Sequence, residues 1–163
     1  MTLSTIIQVA AVILVGLAAG LFYSYDCSIV NGLGNLNDKE YISAFQSINR
    51  AILNPYFFMS FLGCLVLLPL AAWHVYKAHD TVPFFYMLVA AILYIVGVFG
   101  VTIAGNVPLN DMLDKFEISN ASAEALQILR EKFEAKWNML HHIRTYAAIL
   151  AFIAAVISLT KKS

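Results

Sequence analysis

Apolar residues gather into four blocks along the chain, separated by stretches in which apolar and polar positions mix. The first block runs from about Leu3 to Tyr25, interrupted only by Gln8 and small polar residues. The second follows Pro55 and reaches Tyr76, the third covers about Val82 to Ala104, and the fourth runs from Ile143 to Leu159, ahead of Lys161 and Lys162. Each falls in the range of about 17–25 residues that an α-helix needs to cross a hydrocarbon layer. No Lys or Arg precedes the first block and its apolar stretch is too long for a signal peptide, so it is expected to be a mature transmembrane helix.

The mixed stretches, about 31–54 and 105–142, carry a helical period. Asn37 followed by Glu40 is a capping box, and Tyr41, Phe45, Ile48 and Ile52 recur on one face after it. Ser119 or Asn120 can cap a second helix with Glu124 in its first turn. Its apolar stripe is Leu126, Leu129, Phe133, Trp137 and Leu140, with Glu131, Glu134 and Lys136 off the stripe, and it runs on into the fourth block. The third span is expected to stop at Asn106, with Pro108 opening a short helix. The pattern predicts an all-α protein, a four-helix transmembrane bundle with a small helical cap formed by the 1–2 and 3–4 connections. One integral membrane domain accounts for residues 1–163.

Composition agrees. Of the 163 residues 61% are apolar and 12% charged, against about 45–50% and 25% in soluble domains. This excludes a soluble enzyme, a disordered chain and a nucleic-acid binder, and makes the lipid bilayer the first partner. Ten basic residues balance ten acidic ones, so no net field selects a charged partner. Four spans place both termini on one side. Lys77, Lys161 and Lys162 crowd the short turn and tail of that side, which points to cytoplasmic termini in a plasma or inner membrane.

Ionisable and amide side chains at a membrane edge are costly unless paired, so each is a candidate site. Gln46, Asn49 and Arg50 fall within about one helical turn, with Asn54 closing that helix ahead of Pro55. Asn106 and Asn110 flank the proline turn and offer amide donors and acceptors. Trp137, His141 and Arg144 share one helix face, continuing the apolar stripe into the bundle, with His142 and Thr145 beside them. A Trp, a His and an Arg at the mouth of a membrane helix can hold an anionic or phenolic ligand, the imidazole serving as a base. Asp26, beside Tyr23 and Tyr25, is expected to pair with Arg50 or Arg144 as a counter-ion. His141 and His142 project about 100° apart, His74 is expected at the opposite membrane face, and Cys27 and Cys64 have no ligand spacing. No metal and no other cofactor is expected.

The first span with Gly16, Gly20 and a following Tyr, the set Gln46-x-x-Asn49-Arg50, the turn from Asn106 through Pro108 to Asn110, and Trp137-x3-His141-x2-Arg144-Thr145 together resemble the anthrone oxygenase-like family. These are small four-span membrane proteins, and the resemblance covers nearly the whole chain. Its named members are fungal polyketide-pathway enzymes that oxidise an anthrone to an anthraquinone with molecular oxygen and no cofactor. The resemblance implies proton removal from an acidic carbon beside a phenolic ketone, with His141 as base, Arg144 holding the enolate and Trp137 stacking on the ring. Asn106, Asn110, Gln46, Asn49 and Arg50 would line the ligand site.

Two function classes stay open on the sequence. One is an oxygenase acting on a small apolar aromatic or phenolic compound. The other is a non-enzymatic membrane protein that binds a small or lipid-like ligand, or an accessory subunit of a membrane complex. The small-residue face at Gly16 and Gly20 can pack inside the bundle or between chains, which leaves a homo-oligomer open.

Overall fold

The structure is a computed structural model that describes residues 2–161; Lys162, half of the terminal lysine pair, lies outside the described residues. Among the described residues every regular element is helical. The helices are α1 (Leu3–Gly34), α2 (Asp38–Ala51), α3 (Pro55–Lys77), α4 (Thr81–Asp114) and α5 (Ala123–Thr160). All but α2 are long and apolar enough to cross a membrane, and the chain is an integral membrane protein.

α1 packs on α3 and α5, and α4 packs on the same two, which makes an up-down-up-down bundle. More than half of the buried residues at its centre are alanines, among them Ala11, Ala18, Ala71, Ala90, Ala148 and Ala155. The large apolar side chains point outward instead: Ile13, Val66, Phe85, Val96 and Leu150 are all exposed. Lipid tails are as apolar as these side chains, so contact between the helices comes from close approach of small residues. A Cβ on Gly97 would lie 2.6 Å from the Ala147 Cβ, and one on Gly16 would lie 2.9 Å from the Phe152 ring. Gly16 therefore packs inside the bundle, whereas a Cβ on Gly20 would meet nothing within 4 Å.

α5 has 38 residues, about 57 Å at 1.5 Å per residue. A hydrocarbon core is only about 30 Å thick, so its N-terminal half stands clear of the bundle. There Leu126, Leu129, Phe133 and Trp137 meet Tyr41, Ile42 and Phe45 of α2, Leu33 of α1 and Leu113 of α4 in a second core. α2 lies over this end of the bundle and makes the cap. Asn37 caps it by accepting from the Glu40 N–H at 3.0 Å, and Asn54 caps α3 by accepting from the Phe57 N–H at 3.1 Å.

Arg130 binds the cap together. It donates to Glu134 at 2.7 Å, to Asp38 at 3.1 Å and to the carbonyls of Leu36 and Gly34, and lies over the Tyr41 ring. Burial pushes the Tyr41 phenol above its ordinary value, with Glu134 adding to the shift and Arg130 opposing it.

Three local expectations change. The first span does not end at Tyr25 but continues through a π turn at Tyr25–Ile29 to Gly34. The third does not stop at Asn106. A π turn over Thr102–Asn106 carries the helix past Pro108 to Asp114; proline interrupts the α ladder, and wide turns are one way a helix absorbs such a break. The cap of α5 is Ser122, whose hydroxyl accepts from the Ala125 N–H at 3.2 Å, and not Ser119 or Asn120.

A buried polar layer between bundle and cap

The two cores meet at a layer built by α5. Trp137, His141 and Arg144 are spaced by one turn each, and all three side chains are buried. The Trp137 and His141 rings stack at 5.0 Å with a 17° tilt, and the Arg144 guanidinium lies 5.0 Å from both the Trp137 and the Phe22 rings. Arg144 Nε donates to His141 Nδ1 at 3.0 Å. A guanidinium has only donors, so Nδ1 must present its lone pair, and the imidazole is neutral with its proton on Nε2. Nε2 faces Asp26 Oδ1 at 3.8 Å, and the same oxygen lies 2.7 Å from His142 Nδ1.

Asp26 thus faces the two histidines. Of the two arginines expected as its partner, Arg144 feels its charge without a direct ion pair, and Arg50 pairs instead with Asp114 at 2.7 Å, both of those side chains being largely exposed. The reason is topological: α2 leads its C-terminal end toward the last turns of α4, while the π turn of α1 keeps Asp26 beside α5.

Under the cap, beside this layer, is a cavity of about 120 Å³. Phe22, Tyr25, Trp137 and His141 give it aromatic walls, and Arg144, Asn49, Thr102 and Asn110 add polar groups. The Tyr25 hydroxyl and Asn49 Nδ2 are buried with no hydrogen-bond partner in the protein, and the Phe22 backbone carbonyl is the group at His141 Nε2 besides Asp26. Buried polar groups are costly to leave unpaired, and here the hydroxyl and the amide gather around one space. A wider groove of about 720 Å³ runs down the outer surface of α4 and α5 past Ile95, Gly105 and Lys136. None of the unpartnered polar atoms belongs to a residue lining it.

Of the residues singled out in the sequence, Asn49, Asn110, Trp137, His141 and Arg144 line the cavity. Gln46, Arg50 and Asn106 do not. Gln46 donates to the carbonyls of Leu113 and Phe116 at 2.8 and 3.0 Å, which ties α2 to the end of α4. Asn106 donates to the Trp137 carbonyl at 3.3 Å, and Asn110 accepts from Trp137 Nε1 at 2.7 Å, so the proline segment positions the tryptophan. Tyr25 and Phe22 were not among the site candidates. The aromatic spacing before Asp26 is the signal that could have found them, but it reads equally as ordinary span.

Over residues 54–154 the chain matches the family model for anthrone oxygenase. No curated protein and no solved structure matches it. Tyr25, Asp26 and Asn49 precede the matched region.

Proposed function

The chain belongs to the anthrone oxygenase family, and from that premise we propose that it is a membrane-embedded, cofactor-independent oxygenase acting on a small apolar aromatic or phenolic compound bound under the cap. The observation that carries this reading is the bracketed imidazole, with Arg144 on one nitrogen of His141 and Asp26 facing the other. As the side chains stand, Arg144 occupies the lone pair that a base needs. A substrate oxygen that draws the Arg144 donor to itself frees Nδ1 to take a proton from the neighbouring acidic carbon. The Nε2–H then turns to Asp26, which stabilises the imidazolium once the gap closes to hydrogen-bond length. Arg144, the Tyr25 hydroxyl and Asn49 Nδ2 supply donors for the enolate oxygen in a water-poor site.

The carbanion passes an electron to O₂, and recombination gives a peroxide anion on the carbon, which takes up one proton to become the hydroperoxide. Loss of the second C–H proton then breaks the O–O bond and expels hydroxide, which leaves as water. The net change is CH₂ + O₂ → C=O + H₂O, with the four electrons from carbon accounting for the reduction of O₂.

Oxygen uptake and product formation with anthrone in detergent micelles test the reading. His141→Gln, whose amide oxygen can still accept from Arg144, should abolish both while the melting temperature holds. Unchanged turnover in that variant removes His141 from the chemistry, and no turnover in the wild type with the candidate compounds leaves the ligand-binding alternative. The same reading places the termini in the cytoplasm of a plasma- or inner-membrane protein, the side with Lys77 and Lys161. A reporter at Thr160 should then be shielded from an impermeant external label.

A further inference from the structure

We propose that the groove on the outer surface of α4 and α5 binds one anionic phospholipid of the cap-side leaflet. Its phosphate sits at Lys136 and one acyl chain lies along α4. The site is separate from the cavity under the cap and does not depend on the reaction proposed there.

The groove, of about 720 Å³, exists because α4 lacks side chains where it would otherwise be filled. Gly100, Ala104 and Gly105 form its floor, and the π turns Leu93–Gly100 and Thr102–Asn106 take α4 off a regular α ladder there. A Cβ on Gly100 would meet only the Ile95 carbonyl oxygen, at 3.3 Å, so that position gives onto the groove and not onto a neighbouring helix.

Length and depth suit a lipid. The groove runs from Ile95 to Leu109 on α4, about 21 Å at 1.5 Å per residue. A bilayer with its headgroups is about 40–45 Å thick, which leaves about 20–22 Å for one leaflet. The polar end is set by α5, which runs antiparallel to α4. A Cβ on Gly105 would lie 2.7 Å from Leu140 Cδ1, so Leu140 stands opposite Gly105. Lys136, one turn before Leu140, therefore stands at the Leu109 end. That is the level of Trp137, where the bundle gives way to the cap.

Charge selects the headgroup. Lys136 is exposed, and among the described residues no carboxylate lies within ion-pair distance of it. Its neighbours one turn away on α5 are Lys132, Phe133, Met139 and Leu140, so the charge beside it on that helix is a second cation. Arg50 and Arg130 have their counter-ions within the protein; Lys136 does not. A free cation at the head of an apolar groove complements a phosphate of net negative charge, whereas a zwitterionic headgroup brings its own ammonium to the same place. A second copy of the chain would need to offer a carboxylate from its lipid-facing surface. That surface is built from residues such as Ile13, Val66, Phe85 and Leu150, and Asp26 is turned to the histidines.

The test is native mass spectrometry of the full chain in detergent micelles titrated with equimolar dimyristoyl phosphatidylglycerol and dimyristoyl phosphatidylcholine. The expected result is a single phosphatidylglycerol adduct that forms about fivefold below the concentration needed for phosphatidylcholine, the factor that one lysine near an anionic headgroup supplies. Lys136→Gln should bring the two lipids to equal affinity. Ala104→Phe puts a ring into the groove from an exposed position and should remove the first phosphatidylglycerol adduct, with the melting temperature unchanged. Equal affinity in the wild type, or a preference that survives Lys136→Gln, overturns the headgroup assignment. A Lys136-dependent preference that persists in Ala104→Phe overturns the groove as the place of the chain. Several equivalent adducts, insensitive to both substitutions, mean annular lipid only and overturn the site. A dimer that Ala104→Phe breaks makes the groove an interface between copies and overturns the lipid.

Discussion

The bundle and the cap are two cores of one chain, packed on opposite rules. In the bundle, alanines fill the centre and the bulky aliphatic side chains face out, with helices close enough that a methyl on Gly97 would collide with Ala147. In the cap, four of the core side chains are aromatic and none is alanine: Tyr41, Phe45, Phe133 and Trp137 interlock edge to face and in stacks. The solvent explains the difference. Lipid offers no hydrophobic gain for joining helices, so close backbone approach and dispersion decide. The cap lies beyond the hydrocarbon, so large apolar area removed from water stabilises it. The polar layer lies where the two rules meet, and there buried charge is held by partners from both sides.

The contrast is broken most severely by Phe45→Ala. Phe45 is buried against Phe133 at 4.7 Å and Trp137 at 4.8 Å, and its truncation should cost about 3–5 kcal/mol of cap stability. Limited proteolysis should then cut α2 while circular dichroism keeps the signal of the bundle. If both halves melt together, the cap is not a separate cooperative unit.

Next comes the layer between them. Asp26→Asn keeps the shape but removes the charge facing Nε2 of His141, and should lower kcat about 100-fold, or about 2.7 kcal/mol, with KM little changed. A rise in KM alone would make Asp26 a binding group.

Within the bundle, Gly97→Ala forces α4 and α5 apart because the Ala147 Cβ has no rotamer to yield. Overpacking of this kind costs about 1–3 kcal/mol, readable as a lower melting temperature in detergent with the cap's protease resistance retained. The smallest effect belongs to the surface of the cap. Arg50→Ala removes an exposed ion pair with Asp114 and should change stability by less than about 1 kcal/mol, and still less at high salt.

The four spans, the helical cap, the Asn37 and Asn54 caps and the inward face of Trp137, His141 and Arg144 were all legible from length, period and spacing, because each is a local property of a helix. The continuation of α4 through Pro108 was not, since only packing against α5 holds a helix together across a proline. The polar residues of α2 also looked uniform in sequence. Gln46 and Arg50 share a turn with Asn49, yet the former two tie α2 to α4 while Asn49 lines the cavity.

By itself, then, the sequence determined that this is a four-span membrane protein and which face of α5 turns Trp137, His141 and Arg144 inward, for both follow from hydropathy and a fixed rise and twist per residue. Only the tertiary structure decided the partners: that Asp26 faces His141 and His142 while Arg50 pairs with Asp114, that Arg144 holds the His141 lone pair, and that Tyr25 and Asn49 join them around one space. Those pairings depend on how separate helices are rotated and staggered, which packing alone sets.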